Sequence, residues 1–193
     1  MGTTKRIGEL YCQNFNNRSQ TRFITTRFGN VLGSTGSVVP LFQKQIKSGG
    51  PLTVTHPDIT RYFMTIPEAV SLILQAGAMG EGGEIFVLDM GEPVLIRHLA
   101  EQMILLSGLK VDKDIEIIYT GLRSGEKLYE EIFHKSEELE ATSHEKLFLA
   151  RSRQVEWEWL TDELDTLHLA ATSRNIDVLK AHLKNVVPEY TSG

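Results

Sequence analysis

The sequence predicts an α/β protein with too few strands to complete a doubly wound parallel sheet. Short runs of β-branched and aromatic residues alternate with segments of helical apolar spacing, which is typical of sheets flanked by helices. Glycine and proline separate these segments, as they do where helices and strands end. The length of 193 residues fits one domain or slightly more, and 41% hydrophobic residues supply a sizeable core.

In the first half of the chain, most predicted elements end near glycine or proline. Residues 3–16 have helical apolar spacing, and residues 22–31 form a strand that leads into the loop Gly33-Ser-Thr-Gly36. Ser37 is placed to cap a helix that ends before Gly49. The further predicted elements are strands at 52–55 and 61–64 and a helix at 67–78.

The second half continues the alternation and then becomes helical. The predicted elements are strands at 84–89 and 115–119 and helices at 95–107, 156–172 and 176–184. The acidic run Glu137, Glu138 and Glu140 is interpreted as a solvated face. Trp157 and Trp159 are two positions apart and cannot fully share one helix face, so we expect one ring to pack inside and the other to cover the surface.

Composition excludes several classes of function. The net charge of −5 and the absence of a dense basic cluster argue against a nucleic-acid partner. No apolar run approaches the roughly 20 residues that a membrane span needs, so we expect no membrane insertion by this chain. The single cysteine, Cys12, fits a reducing compartment. His134 and His144 are not at ligand spacing, so no metal site is predicted, and His56 is interpreted as part of a His-Pro turn.

Three polar segments lie where a core would not place them. Asn30 ends a strand before a glycine-rich loop, and the free N–H groups of the next helix suit a phosphate or a polar sugar. The planar guanidinium of Arg61 fits a diphosphate, and Arg123 and Glu126 share a glycine-containing loop. Each segment also has a purely structural interpretation: an ordinary turn, an ion pair of Arg61 with Asp58, or a local pair within the loop.

A dinucleotide-binding fingerprint is missing from the sequence. The loop Gly33-Ser-Thr-Gly36 follows a strand but does not have the Gly-x-Gly-x-x-Gly spacing. The sequence also has no Gly-x-Ser-x-Gly elbow, so it gives no support to a serine hydrolase.

Five segments in collinear order carry a resemblance to a known family. They are Arg27-Phe-Gly-Asn-Val-Leu-Gly-Ser34, Gly36-Ser-Val-Val-Pro-Leu-Phe42, Gly49-Gly-Pro-Leu-Thr-Val-Thr55, Thr60-Arg-Tyr-Phe-Met-Thr65 and Gly121-Leu-Arg-Ser-Gly-Glu-Lys127. Together they resemble the bacterial polysaccharide-biosynthesis dehydratases, which are UDP-N-acetylglucosamine 4,6-dehydratase-like members of the extended short-chain dehydrogenase/reductase superfamily. The match runs from Met1 to about Ala150, and the segment to Tyr190 is similar to the tail of the family's membrane-anchored branch.

The resemblance implies the C-terminal portion of an extended short-chain dehydrogenase/reductase (Rossmann-like) fold, without the N-terminal dinucleotide-binding strands and with a helical tail. We expect a partial catalytic domain with the sugar-nucleotide region at 1–141 and a helical C-terminal extension at 142–193. Met1-Gly-Thr-Thr-Lys5 is similar to the family's Met-x-x-x-Lys, and the family's upstream Asp-Lys pair is not in the sequence. The chain is therefore expected to begin within the catalytic domain and to be inactive alone.

Site residues follow from the resemblance, one position at a time. Lys5 is the implied catalytic residue and would contact the cofactor ribose. Phe28 and Gly29 are the other implied cofactor-binding residues. The implied substrate-binding residues are Asn30, Val38, Val39, Thr53, Thr55, Arg61, Arg123 and Glu126. In this set the threonines flank the nucleoside, the arginines hold the diphosphate and the glutamate binds the ribose.

The resemblance also implies the chemistry and the partners. In the complete enzyme, hydride leaves C4 of the sugar for NAD or NADP, water is eliminated across C5 and C6, and hydride returns to C6. We expect a UDP-sugar ligand, no NAD(P) bound by this chain alone, a homo-oligomer, and a location in the cytoplasm or at the cytoplasmic face of a membrane. A sugar epimerase of the same superfamily and a non-catalytic sugar-nucleotide-binding module remain as alternatives.

Overall fold

The computed structural model describes residues 2–133, 137–151 and 153–191. Met1 and His134, which enter the predictions above, lie outside the described residues. The helices are α1 Gly2–Asn16, α2 Val38–Lys47, α3 Ile66–Met79, α4 Ile96–Leu106, α5 Trp157–Thr172 and α6 Ile176–Val186. The strands are β1 Thr25–Arg27, β2 Asn30–Val31, β3 Leu52–Val54, β4 Thr60–Arg61, β5 Phe63–Met64, β6 Ile85–Leu88, β7 Val94–Leu95, β8 Ile117–Tyr119, β9 Glu138–Ala141 and β10 Leu147–Arg151.

The chain divides into two compact units, each built from separate stretches of sequence. The first unit comprises residues 1–27, 75–87 and 135–193, and the second comprises 28–74 and 88–134. The domain boundary predicted at 141/142 stays a prediction.

The first unit contains a four-stranded sheet in the order β1-β6-β10-β9. Strands β1 and β6 are parallel, with Thr26 opposite Phe86, and β9 and β10 form an antiparallel hairpin. A separate core joins the first helix to the helical tail, and its buried members are Leu10, Leu160, Leu167, Val186 and Val187. Apolar residues at helical spacing thus bury one face of α1 against α5 and α6.

Aromatic rings extend this contact between α1 and the tail. Trp157 lies 5.2 Å from Tyr11 and 5.9 Å from Phe15 between ring centroids, and Arg18 lies over the Trp157 ring. Trp159 is 36% exposed with Arg153 over its ring, so one tryptophan packs and the other covers, as the sequence predicts.

The second unit contains short strand pairs around one hydrophobic core. Strands β3 and β8 are parallel, as are β2 and β5, and β4 pairs antiparallel with β7. The buried core residues are Phe42, Leu52, Val54, Ile59, Ile96, Ala100, Ile104 and Ile115. Six of them lie on α2, β3 and α4, and Ile59 and Ile115 lie just before β4 and β8, so this core holds β3 against α2 and α4.

Most predicted elements are confirmed, with two kinds of difference. The predicted strand 22–31 is two strands, because Phe28 and Gly29 separate β1 from β2, and the predicted strand 61–64 begins one residue earlier and is interrupted at Tyr62. The hairpin of β9 and β10 was not predicted, because its acidic first strand lacks the apolar pattern of a strand. Within the part of the chain that the structure describes, no helix is long and apolar enough to cross a membrane.

Candidate functional site

A cavity of about 600 Å³ opens in the second unit. Its wall includes predicted substrate-binding residues from five segments, namely Asn30, Val38, Thr53, Thr55, Arg61, Arg123 and Glu126. Val39, the remaining member of the predicted set, does not line it. The volume is in the range of small-molecule sites. Residues distant in sequence thus meet around one space.

Glu126 is the carboxylate at the centre of the polar wall. Its Oε1 accepts a hydrogen bond from the Thr55 hydroxyl at 3.2 Å and lies 3.5 Å from Nη2 of Arg61. Its Oε2 accepts from the backbone N–H of Arg123 at 3.1 Å. The structural alternative, an ion pair between the side chains of Arg123 and Glu126, is therefore wrong. Glu126 binds the backbone N–H of Arg123 and the side chain of Arg61.

Arg61 is held in place by backbone carbonyls. Its Nη1 donates to Thr60 O at 2.7 Å and to Leu128 O at 3.3 Å, and its side chain is 19% exposed. A guanidinium has five N–H donors. The Nε–H and the second Nη2 proton have no partner among the described residues, so one edge of the guanidinium is left to bind something else. Asp58, the alternative partner, lies instead beside His56.

Asn30 lines the cavity with a defined amide orientation. Its Nδ2 donates to Tyr62 O at 3.2 Å and to Oε2 of Glu130 at 3.3 Å. Both neighbours are acceptors, so they fix which amide atom is the nitrogen. Glu130 also accepts from the backbone N–H of Tyr62 at 3.2 Å. Oδ1 of Asn30 therefore remains as an acceptor.

The N-terminus of α2 forms another part of the wall through Gly36, Ser37 and Val38. Ser37 has the extended backbone of an N-cap residue, but its hydroxyl makes no capping hydrogen bond. Its Oγ is shielded from solvent and has no partner among the described residues. A shielded hydroxyl without a partner costs free energy, which a bound polar ligand would recover. The sequence indicated Ser37 only as a cap.

Apolar side chains that the sequence did not indicate as site residues complete the cavity. They are Leu41, Val54, Ile59, Phe63, Ile96 and Leu122. Four of them stand in predicted helices or strands, where the pattern indicates core and not cavity wall.

The residues implied for a cofactor are Lys5 on α1 and Phe28 and Gly29 between β1 and β2. Lys5 is exposed on α1. A Cβ at Gly29 would lie 2.9 Å from Tyr62 Cβ and 3.0 Å from Tyr62 O, so the close approach of residue 62 is sufficient reason for glycine there. Phe28 is half-buried beside it. Their roles at a cofactor stay predictions.

The first unit buries a second cluster of charges, built from two arginines and two glutamates. Arg27 binds Glu9 at 2.7 Å and Glu137 at 2.6 Å, and Arg6 binds the same two carboxylates at 2.8 and 3.0 Å. Burial opposes the charge of Arg27, and the hydrogen bonds to Glu137 and Glu9 outweigh it and raise the pKa of Arg27 above its ordinary value. The interpretation of Glu137 as solvated is wrong, because its side chain is 3% exposed.

The described residues contain no group of three or more histidine, cysteine or acidic side chains that would hold a metal ion.

Comparison with known proteins identifies relatives over most of the chain. A family model described as polysaccharide biosynthesis protein matches residues 1–152. The capsular polysaccharide biosynthesis protein CapD of Staphylococcus aureus is 59% identical over 149 residues, which are 77% of this chain and 25% of that protein. A UDP-glucose 4-epimerase of Rickettsia bellii is 39% identical over 71% of this chain and 40% of its own length. The chain thus spans less than half of these relatives.

Solved structures agree with the sequence relatives. Pen from Bacillus thuringiensis is 35% identical, with a TM-score of 0.69 over 80% of this chain and 49% of that one. A dTDP-glucose 4,6-dehydratase from Bacillus anthracis in complex with NAD is 22% identical, with a TM-score of 0.54 over 65% of this chain and 40% of that one, and shows a shared fold. The predicted fold class, an α/β fold of the extended short-chain dehydrogenase/reductase (Rossmann-like) type, is confirmed, and the chain covers part of each of these structures.

The model match over residues 1–152 covers all five segments on which the resemblance rests, so this chain belongs to the polysaccharide biosynthesis protein family.

Proposed function

We propose that the cavity of the second unit binds a UDP-sugar, and that the chain is the substrate-binding part of a nucleotide-sugar 4,6-dehydratase of the UDP-N-acetylhexosamine type. Such an enzyme acts in the biosynthesis of cell-surface polysaccharide. The observation that carries the proposal is the cavity wall that Arg61, Arg123 and Glu126 share, in which some guanidinium N–H groups have no partner among the described residues.

The cationic side of the wall suits a diphosphate. Arg61 keeps one guanidinium edge for two parallel hydrogen bonds, which is the geometry in which arginine binds phosphate. The Arg123 side chain has no partner among the described residues, and its loop faces the cavity. The N-terminus of α2 adds the positive end of a helix dipole and the unpartnered hydroxyl of Ser37.

The acceptor side of the wall suits hydroxyl groups. Glu126 carries two oxygens that can accept more hydrogen bonds than the three they receive, and Oδ1 of Asn30 is an acceptor. A ribose or hexose donates hydroxyl hydrogens, whereas a phosphate oxygen does not. A ligand with a diphosphate in the middle and sugars on either side therefore fits both halves of the wall.

Calorimetric titration with UDP and with UDP-N-acetylglucosamine tests the binding. Replacing Arg123 by alanine is expected to weaken UDP affinity about 10-fold, since charge-assisted hydrogen bonds contribute about 1.5–3 kcal/mol. Arg97→Ala is the matched control, because Arg97 is an exposed arginine of the same unit that pairs with Glu101 and does not line the cavity. Absence of saturable UDP binding by the unaltered chain would refute the proposal, as would equal affinity of both variants.

A second candidate is a nucleotide-sugar 4-epimerase, which the similarity to the Rickettsia protein favours. The two reactions differ in product, because dehydration gives a 4-keto-6-deoxy sugar and epimerisation gives a C4 epimer without loss of water. NMR of the product made from UDP-N-acetylglucosamine, by a longer polypeptide that also carries a dinucleotide site, separates them. We place either activity in the cytoplasm, consistent with a single free cysteine.

Self-association is the remaining proposal. Helix α3 is apolar on both sides, and Ile66, Val70 and Leu74 are 53%, 49% and 68% exposed. These positions follow helical spacing and form one exposed stripe, which a second copy of the chain would cover. Sedimentation at high concentration is expected to show an oligomer, and a clean monomer would contradict this.

A further inference from the structure

Gln45 of α2 makes two hydrogen bonds to a single cavity residue, Thr53. Its Nε2 donates to the Thr53 hydroxyl at 2.8 Å, and its Oε1 accepts from the Thr53 backbone N–H at 3.2 Å. Because a backbone N–H is only a donor, the second bond fixes which amide atom of Gln45 is the oxygen. The amide nitrogen must then face the hydroxyl.

The backbone bond has a structural reason. Among the described residues, strand β3 pairs only with β8. Leu52 N–H donates to Glu116 O and Val54 O accepts from Thr120 N–H, and these two residues flank β8. Thr53 N–H points away from β8, and Gln45 Oε1 satisfies it where no strand does. This role requires only an acceptor, so it does not explain the bond from Nε2 to the hydroxyl.

The bond from Gln45 Nε2 to the Thr53 hydroxyl determines whether that hydroxyl can donate to a ligand. A hydroxyl has one hydrogen to donate and two lone pairs that accept. Gln45 occupies a lone pair, so the hydrogen of the Thr53 hydroxyl remains for another acceptor. Thr53 lines the cavity, whereas Gln45 does not. The neighbouring Thr55 differs, because its hydroxyl donates to Glu126.

We propose that Gln45 is a positioning residue that sets the Thr53 hydroxyl as a donor to an acceptor oxygen of the nucleoside part of the ligand. The inference rests on the proposed UDP-sugar site and deepens it. The diphosphate already has Arg61 and Arg123, and Thr53 stands on β3 beside apolar wall residues such as Val54 and Ile59, which suit the face of a base.

The substitution Gln45→Glu separates the two bonds of this side chain. A carboxylate still accepts from the Thr53 backbone N–H, so the strand stays anchored. It cannot donate to the hydroxyl, and the Thr53 hydroxyl donates to the carboxylate instead, so its hydrogen is lost to the ligand. We expect unchanged stability and UDP affinity weakened about 5-fold, the usual size of one neutral hydrogen bond.

Gln43→Glu is the matched control, since Gln43 is exposed on the same helix and the substitution adds the same charge. Thr53→Val removes the hydroxyl directly and should weaken UDP affinity to the same degree. In the Thr53→Val background, Gln45→Glu should have no further effect, whereas a charge effect or a loss of structure would persist. UMP should lose as much affinity as UDP, because the acceptor belongs to the nucleoside.

The outcomes are distinguishable. If the unaltered chain binds UDP and Gln45→Glu binds as tightly as Gln43→Glu, the Gln45 inference is overturned while the UDP site stands. Unchanged affinity of Thr53→Val overturns it too, even if Gln45→Glu fails to fold. A loss seen with UDP but not with UMP would place the acceptor on the terminal phosphate and contradict the proposal. Failure of the unaltered chain to bind UDP would remove the site itself.

Discussion

Two regions of this chain bring arginines and glutamates together, and they differ in how many hydrogen-bond donors and acceptors remain without a partner among the described residues. In the first unit, Arg6 and Arg27 face Glu9 and Glu137, and the side chains are between 3% and 14% exposed. In the second unit, Arg61 and Glu126 are 19% and 23% exposed, and their contact of 3.5 Å is longer than the 2.6–3.0 Å pairs of the first unit.

The difference indicates separate roles for the same residue types. Charges that are buried and mutually paired satisfy one another, and removing one leaves the others without compensation. Charges around an open cavity that keep unused donors and acceptors are available to a ligand. Residue type alone does not distinguish these cases, but the count of unused donors does.

The largest expected effect comes from breaking the buried cluster. Arg27→Ala removes one of the two arginines that pair with Glu9 and Glu137 in this buried cluster, and we expect a loss of about 3–5 kcal/mol in the free energy of unfolding. Urea denaturation measures it, and UDP affinity of the folded protein should not change. A stability loss below about 1 kcal/mol would contradict this prediction, because it would show that the glutamates remain compensated without Arg27.

For Arg61 we expect the opposite result from Arg27, a loss of ligand affinity and not mainly of stability. Arg61→Ala should weaken UDP affinity about 10-fold or more, through loss of a charge-assisted pair of hydrogen bonds. Arg61→Lys keeps the charge but not the planar edge, so it should recover only part of that affinity. Calorimetry on both variants gives the ratio, and full recovery by lysine would mean that charge alone holds the ligand.

Asn30 tests the acceptor side of the cavity. Asn30→Ala removes the Oδ1 acceptor together with the amide N–H groups that bind Tyr62 O and Glu130. We expect the UDP-N-acetylglucosamine affinity to fall more than the UDP affinity, by about 3-fold, because the proposal gives Oδ1 to a hydroxyl of the sugar. Equal losses for the two ligands would remove Asn30 from the sugar end of the site.

The sequence predicts the helices of this chain better than its charge pairing. Residues 3–16 and 156–172 carry apolar spacing that buries one face, and the structure has α1 and α5 there. Glu137 could not be predicted as buried, because its partners Arg6 and Arg27 are more than a hundred residues away in the sequence. An acidic run next to exposed Glu138 and Glu140 has the pattern of a solvated surface, and only the fold brings the arginines to it.

The cavity was predicted residue by residue and not as a shape. Resemblance to family segments indicated seven residues that the structure brings to one cavity, although their ligand roles stay predictions. Gln45 and the orphan hydroxyl of Ser37 were not indicated as site residues. The role of each residue depends on which of its side-chain atoms already makes a hydrogen bond. The sequence does not contain that information, because it depends on which neighbours the fold brings close.

The smallest expected effect concerns the exposed pair of Glu140 and Arg151 on the β9–β10 hairpin, which is the solvated counterpart of the buried cluster. The hydrogen bond from Arg151, at 2.8 Å, lowers the pKa of Glu140 below its ordinary value. A lowered carboxyl pKa stabilises the fold above the unfolded pKa, and this contribution disappears as pH falls through the folded pKa. Arg151→Ala should therefore be slightly less stable than the unaltered protein at pH 7, and the difference should shrink as the pH falls from the ordinary glutamate pKa through the lowered pKa of Glu140. Urea midpoints at several pH values measure this, with 0.5 M salt expected to shrink the pH 7 difference, since exposed charges are screened at such ionic strength. A pH-independent difference would mean that Arg151 acts by packing on the hairpin and not by its charge.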